Sequence, residues 1–90
     1  MTSRCHVLIY GQVQGVFFRL ATLNEARIRG VVGWVRNLHD GRVEAVFEGE
    51  RDGVEAMLTF CKQGPRYAIV DKIESQWQQS IRGYVDFTMR

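Results

Sequence analysis

The chain has little of what would commit it to a specialised class. One proline and two cysteines among 90 residues exclude a proline-rich extended segment and a disulfide-stapled scaffold. Cys5 and Cys61 do not form a C-x-x-C pair. With only two histidines beside them, they give no basis for a four-ligand zinc site. They read as buried free thiols, with a disulfide between them left open. Long apolar runs are also missing. Nothing approaches the ~20 residues of a membrane span, and the apolar run near the start is too short for a secretory signal. A cytoplasmic protein with no membrane partner is expected. An excess of charge of one sign is lacking too: 12 Lys and Arg face 10 Asp and Glu, a net charge of +2. The basic residues are scattered, so the phosphate-neutralising stripe of a nucleic-acid binder is absent and no nucleic-acid partner is expected. A single small anion remains a suitable ligand. His, Cys, Asp and Glu nowhere cluster at ligand spacing, so neither a metal nor another cofactor is expected.

What is present is an ordinary globular composition, 46% hydrophobic and 24% charged. A chain of this length makes one domain over residues 1–90, with one core and no second lobe to close a cleft, so any site lies at the surface. Alternation through residues 4–10 places Cys5, Val7 and Ile9 on one face of a strand, with His6 on the other. Gly11 and Gly15 then bracket a loop. Residues 18–29 hold good helix formers and no proline. Phe18, Thr22 and Ala26 line up at helical spacing until Arg29 breaks the row, and Gly30 is placed to end the helix. VVGWVRN, the turn residues His39, Asp40 and Gly41, and RVEAVFEG read as a β-hairpin with Val43, Ala45 and Phe47 on one face. Asp52 followed by Glu55 predicts a capping box. Val54, Met57, Leu58 and Cys61 continue a second helix, which Gly64 and Pro65 end. A strand is expected within residues 70–79. Val85, Phe87 and Met89 alternate in a closing strand. The order βαββαβ, with one further strand, predicts an α+β ferredoxin-like sandwich: an antiparallel sheet with two helices on one face.

Chemistry is concentrated in two segments. The first, residues 11–19 (GQVQGVFFR), leaves a strand, passes two glycines and enters a helix with Arg19 in its first turn. Glycines allow backbone N–H groups to converge, a helix start adds free N–H groups and partial positive charge, and a guanidinium supplies a two-pronged donor for phosphate oxygens. Taken alone, the same residues also suit a plain glycine turn beside a solvated arginine. The segment lacks the G-K-[ST] ending of a nucleotide P-loop and does not match G-x-G-x-x-G, which argues against an NTPase or a dinucleotide enzyme. The second segment, residues 33–43 (GWVRNLHDGRV), carries Asn37 where a strand runs into its turn, a common place for a turn-forming asparagine. His39, at the exposed tip, has nothing nearby to orient its ring for catalysis.

Together these segments resemble the signature motifs of the acylphosphatase family. G-x-V-Q-G-V-x-F-R is met by Gly11, Val13, Gln14, Gly15, Val16, Phe18 and Arg19. G-W-V-R-N with its following glycines and valine is met by residues 33–37, Gly41, Val43 and Gly49. Gly64, Pro65 and Ala68 extend the likeness over nearly the whole chain. Residues 29–32 depart from the family's usual pattern, a difference that touches packing. The resemblance implies a metal-free hydrolase that splits an acyl phosphate into a carboxylate and inorganic phosphate. It assigns Gln14, Gly15, Val16, Phe17, Phe18 and Arg19 to phosphate binding, Arg19 to the phosphate charge and Asn37 to orienting the attacking water. The expected partners are a small-molecule acyl phosphate and inorganic phosphate, the latter as product and competitive inhibitor of a monomer. A shallow surface site would favour broad acyl specificity. Two other classes fit the same fold. An RNA-binding module would need base-stacking aromatics on its central strands, but residues 43–48 offer only Phe47, in phase with the core. A non-catalytic interaction domain would have no use for Arg19 and Asn37 in intact motifs.

Overall fold

The computed structural model describes residues 2–79 and 82–90. Its elements run β1 (Thr2–Gln12), α1 (Phe18–Ile28), β2 (Val32–Asn37), β3 (Val43–Glu50), α2 (Arg51–Gln63), β4 (Ile69–Gln78) and β5 (Phe87–Met89). One sheet holds the strands in the order β4-β1-β3-β2-β5. β1 pairs antiparallel with both β3 and β4, and β2 pairs antiparallel with β3. The sheet is not wholly antiparallel as expected, because β5 adds to β2 in parallel. Main-chain bonds from Gly33 N to Asp86 O at 3.0 Å and from Arg90 N to Val35 O at 2.8 Å flank that pairing. β1, β2 and β5 therefore all point the same way, and their C-terminal ends meet at one end of the sheet.

The alternation in β1 buries Cys5, Val7 and Ile9. From β3 and β2 come Val43, Ala45, Phe47 and Val35, and from β5 Phe87. Against this face α1 lays Phe18, Thr22 and Ala26, and α2 lays Val54, Met57 and Cys61. Both helices thus cover one face of the sheet. The three fully buried phenylalanines, Phe18, Phe47 and Phe87, each contribute about 2–3 kcal/mol by leaving water. Both cysteines are free and buried. Burial pushes each thiol upward, and Cys5 adds to the effect on Cys61, so neither is poised as a thiolate.

Three local expectations are corrected. Gly11 lies within β1 rather than at a loop edge, at a register shift opposite β4. Its φ is +132°, and a Cβ there would stand 2.1 Å from the carbonyl oxygen of Ile69, so only glycine permits the strands to pair at this irregularity. The capping box does not form. α2 starts at Arg51 with Glu50 as its N-cap and no side-chain cap, and Glu55 instead accepts from Arg51 Nε at 3.1 Å. Asp52 sits within the first turn, where its charge favours the positive end of the helix. Of the closing alternation only Phe87 is buried; Val85 is 99% exposed.

The face away from the helices carries ion pairs. Fully buried Glu48 takes Arg4 Nε and Nη2 on one carboxylate oxygen at 2.8 and 2.6 Å. Its other oxygen accepts the N–H groups of Gly83 and Tyr84 at 2.9 and 3.3 Å. These bonds pin the segment leading into β5 to the sheet. Nearby, Glu44 pairs with His6 Nε2 at 2.7 Å and Arg36 Nε at 2.6 Å. Burial raises its carboxyl pKa, but the bonds to His6 and Arg36 outweigh that effect and hold it below the ordinary carboxylate value. A carboxylate lowered in this way contributes stability that is present above its unfolded pKa and lost as pH falls through its folded value. Thermal unfolding from about pH 5 to about pH 3 should therefore show a larger fall in Tm for the wild type than for Glu44→Gln. Equal falls would show that Glu44 contributes nothing to the acid sensitivity.

Candidate active site

The shared end of β1, β2 and β5 carries the chemistry. As β1 ends at Gln12, Val13 turns into the core, Gly15 adopts φ +74° and Phe17 adopts φ +62°. Phe17 is the only non-glycine residue with positive φ among those described, a conformation that costs of order 1–3 kcal/mol. A left-handed residue at every second position, Gly15 and then Phe17, is a backbone pattern able to turn successive N–H groups toward one side. α1 follows at once. Its first internal bond runs from Ala21 N to Phe17 O at 3.0 Å, so the N–H groups of Phe18, Arg19 and Leu20 have no partner within the helix.

A cavity of about 340 Å³ opens here, lined by Val13, Gly15, Phe17, Phe18, Arg19, Leu20, Asn37 and Met89. The fold thus brings Arg19 and Asn37 to one cavity together with part of the expected cradle: Gly15, Phe17 and Phe18. Gln14 and Val16 are not in its lining. Gln14 does something the sequence did not announce: its Nε2 donates to the carbonyls of Leu38 at 2.6 Å and Arg42 at 2.9 Å. The side chain is a strut between the loop and the β2–β3 turn, and it fixes the distance between the strand end bearing Asn37 and the loop before Arg19. His39 is exposed at that turn. The neighbouring Asp40 is committed to Arg42 at 2.7 Å, and its hydrogen bonds to Arg42 lower its pKa.

Arg19 is half-buried, and its Nη1 donates to the main-chain oxygen of Arg90 at 2.8 Å. The end of the sheet therefore holds one edge of the guanidinium and leaves its remaining N–H donors for a ligand. Asn37 Oδ1 is buried with no hydrogen-bond partner among the described residues. An acceptor without a protein partner at the lining of a cavity is free to take a donor from whatever the cavity holds. Leu20 and Met89 were not anticipated as site residues. Leu20 lies off the buried row of α1, and Met89 reaches the cavity only through the parallel pairing of β5.

These features define a ferredoxin-like domain with a cavity at a strand–loop–helix junction, lined by an arginine and by an asparagine whose amide oxygen has no partner among the described residues. The model of the Acylphosphatase family matches residues 5–89. An acylphosphatase of Roseiflexus sp. (strain RS-1) is 54% identical over 77 residues, covering 86% of this chain and 83% of that protein. The crystal structure of acylphosphatase from Bacillus subtilis superposes with TM-score 0.94 at 32% identity, covering 98% of each chain. The structure of an acylphosphatase from Coxiella burnetii gives TM-score 0.93 at 36% identity over 99% of this chain and 93% of that one. The chain belongs to the acylphosphatase family, enzymes that act on small-molecule acyl phosphates.

Proposed function

We propose that the cavity binds the phosphate of an acyl phosphate against Arg19 and the backbone N–H groups of the loop 14–19, with Gln14 and Val16 contributing main chain from behind the lining residues, and that Asn37 orients the attacking water. The observation that carries this reading is the meeting, at one cavity, of a tethered arginine, an amide oxygen without a partner among the described residues, and the loop that enters α1. Water attacks phosphorus, the bond from phosphorus to the acyl oxygen breaks, and its electron pair leaves with the carboxylate. The products are a carboxylate and dihydrogen phosphate, with the water proton passing to a phosphate oxygen. The departing group is the conjugate base of an acid with a pKa of roughly 4–5, like a side-chain carboxyl, so no general acid has to protonate it. Holding a dianion, neutralising charge on its equatorial oxygens and placing water in line are tasks of electrostatics and position.

The reading includes a monomer acting in the cytoplasm, without nucleic acid and without a metal. Two buried free thiols support the compartment. Among the described residues no helix is long and apolar enough to cross a membrane, and no group of three or more His, Cys, Asp or Glu side chains could hold a metal ion. An aryl acyl phosphate should be turned over far faster than the corresponding phosphate monoester, whose poorer leaving group finds no acid to protonate it. Thorough chelation should leave the rate unchanged. Equal rates on the two substrates, or a chelation loss restored by magnesium or zinc, would contradict the reading.

A further inference from the structure

The cavity is larger than a phosphate requires. About 340 Å³ falls at the small end of the range for pockets that hold organic ligands, and much of its rim is apolar. Phe17 is 73% exposed, and Leu20 and Met89 are each 45% exposed. All three line the same cavity as Arg19 and Asn37. Ile28, Tyr67, Ile69 and Val85 are also exposed apolar residues, but none of them lines it. An aromatic ring held in solvent by a residue of positive φ is a costly arrangement, and the fold could have used glycine there at no steric cost. The three side chains come from three places, the loop, the first turn of α1 and the end of β5, so no single helix stripe explains their meeting.

From this we infer that Phe17, Leu20 and Met89 form a shelf for the acyl group, and that the enzyme prefers acyl phosphates with an aromatic or extended apolar acyl portion. This rests on the phosphate-binding reading given above. With the phosphate held at Arg19 and the loop, the acyl group has to leave through the mouth of the cavity, where it meets these side chains instead of water. Covering them buries apolar surface on both partners, and the gain is selective because acetyl is too small to reach all three. The broad specificity expected of a shallow site thereby becomes a graded one.

The test compares kcat/KM for benzoyl phosphate and acetyl phosphate in the wild type, in the double variant Leu20→Gln with Met89→Gln, and in Phe17→Asn. Glutamine keeps bulk while adding polarity, and at position 20 it keeps helix propensity; asparagine tolerates the left-handed backbone at position 17. Inorganic phosphate inhibition is measured on each as a separate readout of the cradle. The benzoyl-to-acetyl ratio should be high in the wild type and fall about 10-fold, the discrimination typical of a small apolar contact, in both variants. Comparing variants cancels the intrinsic reactivity of the two substrates. A ratio unmoved in both variants, with phosphate still competing, would overturn the shelf and leave the cradle standing. Absence of turnover on both substrates and of phosphate binding in the wild type would strike the cradle itself, and the shelf with it.

Discussion

Asn37→Ala should lower kcat on the order of 10²-fold, the usual cost of losing one positioned polar group, while KM stays close to the wild-type value. The amide is assigned to the water and not to the bound substrate, so its loss is felt only as the transition state is reached. The effect on stability separates this role from that of a turn former. Asn37 Oδ1 makes no hydrogen bond to another described residue, so truncation breaks no side-chain acceptor bond within the fold and thermal unfolding should be little changed. A turn-forming asparagine predicts the reverse, a lower Tm with kcat retained. Steady-state kinetics and a melting curve on the same preparation decide between them.

Arg19→Lys should lower kcat/KM by a comparable factor, on the order of 10²-fold, although the charge is kept. Lysine is a point charge on a flexible stem and cannot present two parallel donors to phosphate while a third holds the sheet. In this structure the third is Nη1, bonded to the Arg90 oxygen at 2.8 Å. Inorganic phosphate should inhibit the wild type competitively and bind far more weakly to Arg19→Gln. A place in the first helical turn predicts an exposed side chain whose replacement leaves thermal unfolding almost unchanged. The bond to Arg90 and the partial burial of Arg19 change that expectation to a loss of about 1 kcal/mol, the net worth of one ordinary hydrogen bond. Wild-type turnover and phosphate inhibition in both variants would make Arg19 a surface arginine.

The parts of the fold that were legible in sequence are those set by local periodicity. Cys5, Val7 and Ile9 alternate because one face of β1 meets the helices. Phe18, Thr22 and Ala26 recur at helical spacing because one stripe of α1 meets the sheet. The parts that were not legible depend on partners distant in the chain. The parallel addition of β5 is accompanied by Gly33 N and Arg90 N bonding main-chain oxygens of the other segment, which no local pattern encodes. Asp52 and Glu55 carried the letters of a capping box, but Arg51 one turn back competed for Glu55. At the site, Arg19 and Asn37 were legible as residues through the family motifs. Their convergence follows from three strands ending at the same place. The strut from Gln14 and the apolar rim had no local signal, because each depends on side chains contributed by other elements.

In the proposed reaction water is delivered to phosphorus, with the phosphate fixed by Arg19 and its loop. Hydrolysis of an acyl phosphate in water enriched in heavy oxygen, followed by mass analysis of both products, tests it most directly. Attack at phosphorus places the label in inorganic phosphate and leaves the carboxylate unlabelled, which is the expected result. Label in the carboxylate would mean that water attacks the carbonyl carbon, and the roles given to Arg19 and Asn37 would then be wrong.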